Sequence, residues 1–263
     1  MILTYSIGND DISIGFIEDG SLCGTASVST DTRRTADEYA FIFKSLFDFR
    51  GISSESIEGA IGASVVPQLT ETVRDAFEKL LSIRPHILGA GTKTGLNILT
   101  DDPTQLGADL VAFAVGALAK YTPPLILIDF GTATTFSVID KNGAFVGCAI
   151  APGVSMSEKA LTNGASLLPS FASAIPKKCV GTNTMESMQS GCIFGSAAMI
   201  DGMIGRIESE TGESALTIAS GRTADIILPL CERHIHRDDT LLLTGLFEIY
   251  KKNLKRHGKQ SAK

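Results

Sequence analysis

Leu125-Ile126-Leu127-Ile128-Asp129-Phe130-Gly131-Thr132 is an apolar run that ends in an aspartate and a glycine turn. The same figure opens the chain as Ile2-Leu3-Thr4-Tyr5-Ser6-Ile7-Gly8-Asn9, 123 positions earlier. Ile12 to Ile17 then reads as a second strand, Glu18-Asp19-Gly20 as a turn, and a third strand runs through Val28. In the later copy Thr135 to Ile139, Asp140 to Gly143 and Ala144 to Ile150 do the same. Gly8 falls on Gly131, Gly20 on Gly143 and Gly24 on Gly147. Glycine marks turns and close backbone approaches, so three in one register identify a duplicated unit.

Beyond its three-stranded antiparallel start, each copy reads as alternating helices and strands. Thr35-Ala36-Asp37-Glu38 is a capping box, in which hydroxyl and carboxylate satisfy each other's backbone N–H groups. It opens a helix with the stripe Tyr39, Ile42, Phe43, Leu46 and Phe47, closed by Gly51. Ile57 to Val66 reads as a strand stopped by Pro67, and a second amphipathic helix carries Val73, Ala76, Phe77, Leu80 and Leu81. Ile87-Leu88 opens a short strand. Leu106 to Tyr121 is a helix apolar enough to be buried on most sides. Pro123-Pro124 marks the boundary between halves. The second half predicts a loop-rich stretch over about 153–182, a long helix over 184–208 and a strand centred on Ile218. A strand over Leu241–Leu243 and a last helix over 245–252 follow. The long helix holds Gly191, Gly195, Ala198, Gly202 and Gly205. Glycine costs about 1 kcal/mol inside a helix, so another element should approach there, from this chain or from a second subunit. The pattern predicts an α/β protein with domains over 1–121 and 122–255 and a basic tail over 256–263.

With 23 Lys+Arg against 29 Asp+Glu, the 263 residues carry a formal charge of −6. A chain of that balance does not track nucleic acid by bulk charge. An apolar content of 44% and 26 glycines are those of an ordinary globular protein. Cys23, Cys148, Cys179, Cys192 and Cys231 are odd in number and contain no C-x-x-C pair. Reduced thiols fit this better than a disulfide frame or zinc site. The first basic residue is Arg33, and no apolar span reaches the ~20 residues that cross a bilayer. A soluble, cytoplasmic protein without a signal peptide is expected. His234 and His236 alternate along one expected strand face, as a solvated pair or a metal site without a third ligand nearby.

A strand–turn–strand with Gly-Asn or Gly-Thr at its tip aims backbone N–H groups and hydroxyls into open space. Alone, it reads as an ordinary hairpin. Two such turns, one per domain, can hold a polyphosphate between them. Asp129, ending its apolar strand, is placed to hold a cation or its waters. This duplicated layout resembles the acetate and sugar kinase/Hsp70/actin superfamily, whose two ribonuclease-H-like domains flank a nucleotide cleft. Within it, the motifs resemble type III pantothenate kinases. They are Ser29-Thr30-Asp31-Thr32-Arg33-Arg34-Thr35-Ala36-Asp37-Glu38-Tyr39, Ser64-Val65-Val66-Pro67, Lys93-Thr94-Gly95-Leu96 and Gly107-Ala108-Asp109. Asp129 to Phe136, Ala151-Pro152-Gly153 and Asn183 to Gly191 complete the set. The similarity runs from residue 1 to about Asn253.

The resemblance implies ATP-dependent phosphorylation of the terminal hydroxyl of pantothenate, the first step toward coenzyme A. It implies ATP, Mg2+ and a monovalent cation (K+ or NH4+), and a homodimer or a heteromer with a homologous subunit. Asp109 becomes the general base, and Asp129 the holder of the monovalent cation. Ser6, Gly8, Asn9, Asp10, Gly131, Thr132 and Thr134 fall at the phosphates. Thr100, Gly107, Ala108, Asp109, Leu110 and Thr184 fall around pantothenate. Without the resemblance, Asp109 reads as an aspartate favoured by a helix dipole, and Thr184 as part of a helix cap. A non-catalytic binding member and a phosphohydrolase, with water in place of the alcohol, are the alternatives.

Departures from the family pattern concentrate at the chemistry. Its first turn reads Asp-x-Gly-Asn-Thr, against Ser6-Ile7-Gly8-Asn9-Asp10 here. Ser6 aligns with Asp129 in the repeat, and a serine cannot supply the anionic ligand that organises magnesium. Asp10 sets a carboxylate where a hydroxyl would meet phosphate. At 4 Å and an effective dielectric of 20, two unit charges repel by about 4 kcal/mol. Asp10 or Asp11 could instead bridge to the phosphates through metal. Leu110 stands where the family has an arginine, so it cannot pair with the pantothenate carboxylate, and Thr100 stands for a tyrosine. Ser220-Gly221-Arg222 replaces a small-Gly-Gly turn near the adenosine. Weak turnover by the chain alone is expected.

Overall fold

A computed structural model describes residues 1–172 and 174–260, with side chains through residue 254. The basic tail expected over 256–263 lies outside the residues whose side chains are described. The strands are β1 (Ile2–Ile7), β2 (Asp11–Glu18), β3 (Ser21–Ser29), β4 (Gly59–Ser64), β5 (His86–Ile87), β6 (Asn97–Ile98), β7 (Leu125–Phe130), β8 (Ala133–Ile139), β9 (Ala144–Pro152), β10 (Leu216–Ser220) and β11 (His236–Arg237). The helices are α1 (Ala36–Phe49), α2 (Pro67–Leu81), α3 (Ala108–Lys120), α4 (Val154–Gly164), α5 (Thr184–Thr211), α6 (Ala224–Ile227) and α7 (Leu241–Gln260).

The duplication is visible in the sheets. One has the order β3-β2-β1-β4-β5 and the other β9-β8-β7-β10-β11, with β6 added beyond β9. In each, the first three strands are antiparallel and the last two run parallel to the first. The two hairpins differ by one residue, however. Ile7 pairs with Ile12 but Phe130 with Thr134, so four residues lie between the last paired positions of the first hairpin and three between those of the second. Glycine spacing hides this, because the next turn restores the missing residue. The pairing of second with third strand then shifts register at the same point in both sheets, Phe16/Ile17 in β2 and Val138/Ile139 in β8.

Each sheet is covered by the helices that the periodicity predicts. The capping box at α1 forms: Glu38 N–H donates to the Thr35 hydroxyl, and Thr35 N–H to Glu38 Oε2 at 2.7 Å. The α1 stripe brings Phe43 onto Phe77 of α2, with centroids 4.2 Å apart, and Tyr5 of β1 meets Phe77 at 4.7 Å. Burying one such ring stabilises by about 2–3 kcal/mol. In the second sheet Ile126, Ile128, Phe130 and Phe136 bury against Ile193, Ala197, Ile200 and Ile204 of α5, a spacing of four, three and four. Gly191, Gly195 and Gly202 lie on the other face of α5, and no described atom comes within 4 Å of where their Cβ atoms would be. Packing within the chain therefore does not explain them.

Two compact units result. The first holds Met1–Asn97, Asp101–Tyr121 and the chain from Thr240 onward; the second holds Ile98–Thr100 and Thr122–Asp239. The division expected at 121/122 is thus followed by a return at Thr240, where α7 rejoins the first unit. Leu241 to Leu243, expected as a strand, are the first turn of α7. The place beside β10 is taken by β11 instead. The stretch expected as loops over 153–182 contains α4. In the first unit α3 and α7 meet with no room for side chains between them. A methyl group on Gly116 would lie 1.9 Å from the Leu241 carbonyl oxygen, and one on Gly245 1.8 Å from that of Ala112.

Candidate active site

In the first unit, Ser6 is buried near the end of β1, between Ser13 of β2 and Ala63 of β4. Gly8 N–H donates to the Asp11 carbonyl at 2.9 Å and closes the turn. Asn9 and Asp10 form its exposed tip. Thr30, which sequence reasoning did not single out, fixes this turn from β3: its hydroxyl donates to the Gly8 carbonyl at 2.7 Å, and its N–H to that of Asp10 at 3.1 Å. Asp31 is fixed in turn. The Tyr39 hydroxyl donates to its carbonyl and accepts from its N–H, while Arg33 hydrogen-bonds its carboxyl and holds it down at a pKa of about 2. The Thr30–Tyr39 segment is therefore scaffold for the first turn.

Asp109 stands in the first turn of α3, after the cap residue Gly107. Its Oδ1 accepts from Leu110 N–H at 2.8 Å, yet burial pushes its pKa above the ordinary aspartate value. A Cβ on Gly107 would lie 2.5 Å from that oxygen, so glycine leaves the room that the carboxylate occupies. Leu110 is only 8% exposed, an apolar residue of the α3 packing surface.

In the second unit, Asp129 pairs across β7 with Thr135 of β8 and Ser220 of β10. A Cβ on Gly131 would lie 3.0 Å from Asp129 Oδ2, so glycine makes the cradle in which this carboxylate rests. Gly153 donates its N–H to the Thr132 carbonyl at 3.2 Å, and a Cβ there would collide with the carbonyls of both Gly131 and Thr132. The Asp129 carboxylate is an oxygen donor of the kind a hard cation takes. Thr134 is buried, and Gly131 and Thr132 lead the turn. Gly221, with φ +110°, packs its Cα on the Phe130 backbone, where a Cβ would lie 2.6 Å from the carbonyl oxygen. Asp239 holds that turn by accepting from Gly221 N–H at 3.2 Å. Thr100 carries a buried hydroxyl without a partner among the described residues. Thr184 is the exposed first residue of α5. The cap beside it differs from a reciprocal box: Asn183 accepts from Glu186 N–H, but Glu186 reaches back to Thr182.

The family model for type III pantothenate kinase matches residues 2–206. The chain belongs to the type III pantothenate kinase family. Relatives bearing that name include one from Exiguobacterium sp. (strain AT1b), 40% identical across 97% of this chain and the whole of that protein. Another, from Halalkalibacterium halodurans, is 39% identical with the same coverage. In fold, this type III pantothenate kinase family member is similar to the activator of 2-hydroxyisocaproyl-CoA dehydratase from Clostridium difficile, solved with ADPNP. The TM-score is 0.59 at 12% identity, covering all of this chain and 98% of that one. The duplicated actin-like α/β fold and the kinase family expected from the motifs are both borne out.

His234 and His236 are exposed with rings 4.8 Å apart, and no group of three potential metal ligands occurs among the described residues. All five cysteines are free thiols. No described helix is long and apolar enough to cross a membrane.

Proposed function

We propose that this protein transfers the γ-phosphoryl group of ATP to the terminal hydroxyl of pantothenate, with Asp109 as general base. The observation that carries this is a carboxylate at a helix start, held over a glycine and raised in pKa by burial, within the family's own motif. As the hydroxyl oxygen bonds to the γ-phosphorus and the bond to ADP breaks, Asp109 accepts the hydroxyl proton. In the second unit, Gly131, Thr132 and Thr134 are the groups offered to phosphate; in the first it is the exposed tip at Asn9, the Gly8 N–H being taken by the Asp11 carbonyl. Asp129 would hold K+ or NH4+, and Mg2+ would neutralise phosphate charge. Gly107 and Ala108 are the first unit's candidate groups for pantothenate, and Thr100 and Thr184 the second unit's. Pantothenate-dependent ADP release in potassium or ammonium buffer tests the reading.

Leu110 supports a specific weakness. A buried leucine offers no cation to the pantothenate carboxylate, and losing such a partner costs about 2–5 kcal/mol. The chain alone should therefore show a high KM for pantothenate. Leu110→Arg with Thr100→Tyr should lower that KM by about tenfold or more. ATP binding without pantothenate-dependent ADP release in either protein would favour the second reading, a non-catalytic subunit that pairs with an intact homologue.

Assembly through α5 fits both readings. Three glycines on its open face allow another helix to approach closely. Sedimentation should give a species of twice 27.8 kDa. Gly195→Arg, at a position where a Cβ would meet no described atom within 4 Å, should give the single-chain mass with the helix content unchanged.

A further inference from the structure

We infer that Asp11 supplies the carboxylate missing at Ser6, and that it is this residue, not Asp10, which organises Mg2+ on ATP; the inference rests on the kinase reading above. The pairing registers carry it. Ser6 stands opposite Ser13, and Asp11 is two residues before Ser13 on the same strand. Alternate residues of a strand share a face, so Asp11 and Ser6 project from the same face of the first sheet.

In the second unit Asp129 stands opposite Thr135, and the residue two before Thr135 is Ala133. The equivalent pairs are therefore Ser6 with Asp11, and Asp129 with Ala133. One carboxylate is present in each pair, on opposite members. The glycine contacts agree. The nearest side-chain atom to a Cβ on Gly131 is Asp129 Oδ2 at 3.0 Å, and to a Cβ on Gly8 it is Asp11 Oδ1 at 3.8 Å. Gly8 and Gly131 are the equivalent glycines, so each turn keeps a carboxylate over its glycine. Diagonal positions on adjacent strands are about 7–8 Å apart, a displacement that Mg2+ can accommodate through the waters it retains. Asp10 belongs to the extra residue of the longer turn, and its carbonyl is already held by Thr30.

The experiment is titration of the full-length protein with ATP, with MgCl2 and in EDTA, by calorimetry. For the wild type, Mg2+ should tighten ATP binding. Asp11→Ala should lose about tenfold of the Mg2+-supported affinity, the effect of one charge-assisted interaction, while its affinity in EDTA stays the same or rises. Asp10→Ala should retain the Mg2+ effect. Ser6→Asp in the Asp11→Ala background should restore it, which also shows that the variant is folded. An undiminished Mg2+ effect in Asp11→Ala, its loss in Asp10→Ala, or failure of Ser6→Asp to restore it overturns the assignment. A wild type that binds ATP equally with and without Mg2+ overturns it too, leaving the nucleotide site intact. A wild type that binds no ATP overturns the kinase reading itself.

Discussion

Asp109→Asn is expected to lower kcat by about 10²–10⁴-fold, the range for removing a positioned general base, while making the protein more stable. Both effects follow from one placement. Burial raises the Asp109 pKa, so the ionised carboxylate that the reaction needs is disfavoured by the fold. With the folded pKa above the unfolded one, the native state holds more protons across that window. Stability therefore falls as pH rises through it, and the cost is fully present above the folded pKa. Asparagine keeps the shape and carries no such cost. Its stabilisation should be measurable near neutral pH and vanish below the ordinary aspartate range. Activity of the wild type should correspondingly fall as pH drops through the raised Asp109 pKa. Thermal unfolding and pantothenate-dependent ADP release, both followed against pH, check the pair. An Asp109→Asn variant that turned over at the wild-type rate would remove Asp109 from the chemistry, whatever its stability.

The other large effect is structural. Gly245→Ala should destabilise the first unit by about 3 kcal/mol or more, in line with overpacking against atoms that cannot yield. The obstacle is the backbone carbonyl of Ala112, 1.8 Å from the new methyl group, and the Gly116 nitrogen at 2.8 Å. Gly116→Ala meets the Leu241 carbonyl in the same way. Ordinary glycine-to-alanine changes inside helices stabilise, by about 1 kcal/mol, so the sign alone discriminates. Gly164→Ala at the end of α4, with nothing within 4 Å, is the internal control and should not destabilise the folded chain. Chemical denaturation of the three variants measures the contrast.

The duplicated architecture was legible because glycine turns recur in phase, and because Thr35, Glu38 and the α1 stripe write a helix start plainly. Other features left no such trace. The one-residue difference between hairpins is masked, since β1 and β3 keep the same interval to their counterparts while β2 does not. Leu241-Leu242-Leu243 has no period of its own, so an apolar triplet fits strand and helix equally. α4 buries only Val154, leaving no stripe to read. Among the candidate site residues, Asp109 and Asp129 stand out through motifs. The bond from Thr30 to the Gly8 carbonyl and the close seat of Gly221 on Phe130 do not, because they join segments distant in sequence. Leu110 was legible as a departure, but only its burial shows that it belongs to the packing of α3.

The return of α7 to the first unit also sets an order of events during synthesis. A chain made from its N-terminus has every segment of the second unit in hand once Asp239 has been added. The first unit, begun earlier, still lacks the helix that covers the glycine face of α3. Until α7 emerges, Gly116 and its apolar neighbours have no partner there, and transiently open apolar surface of this kind invites association. The half of the protein that is translated first is thus the half that is finished last.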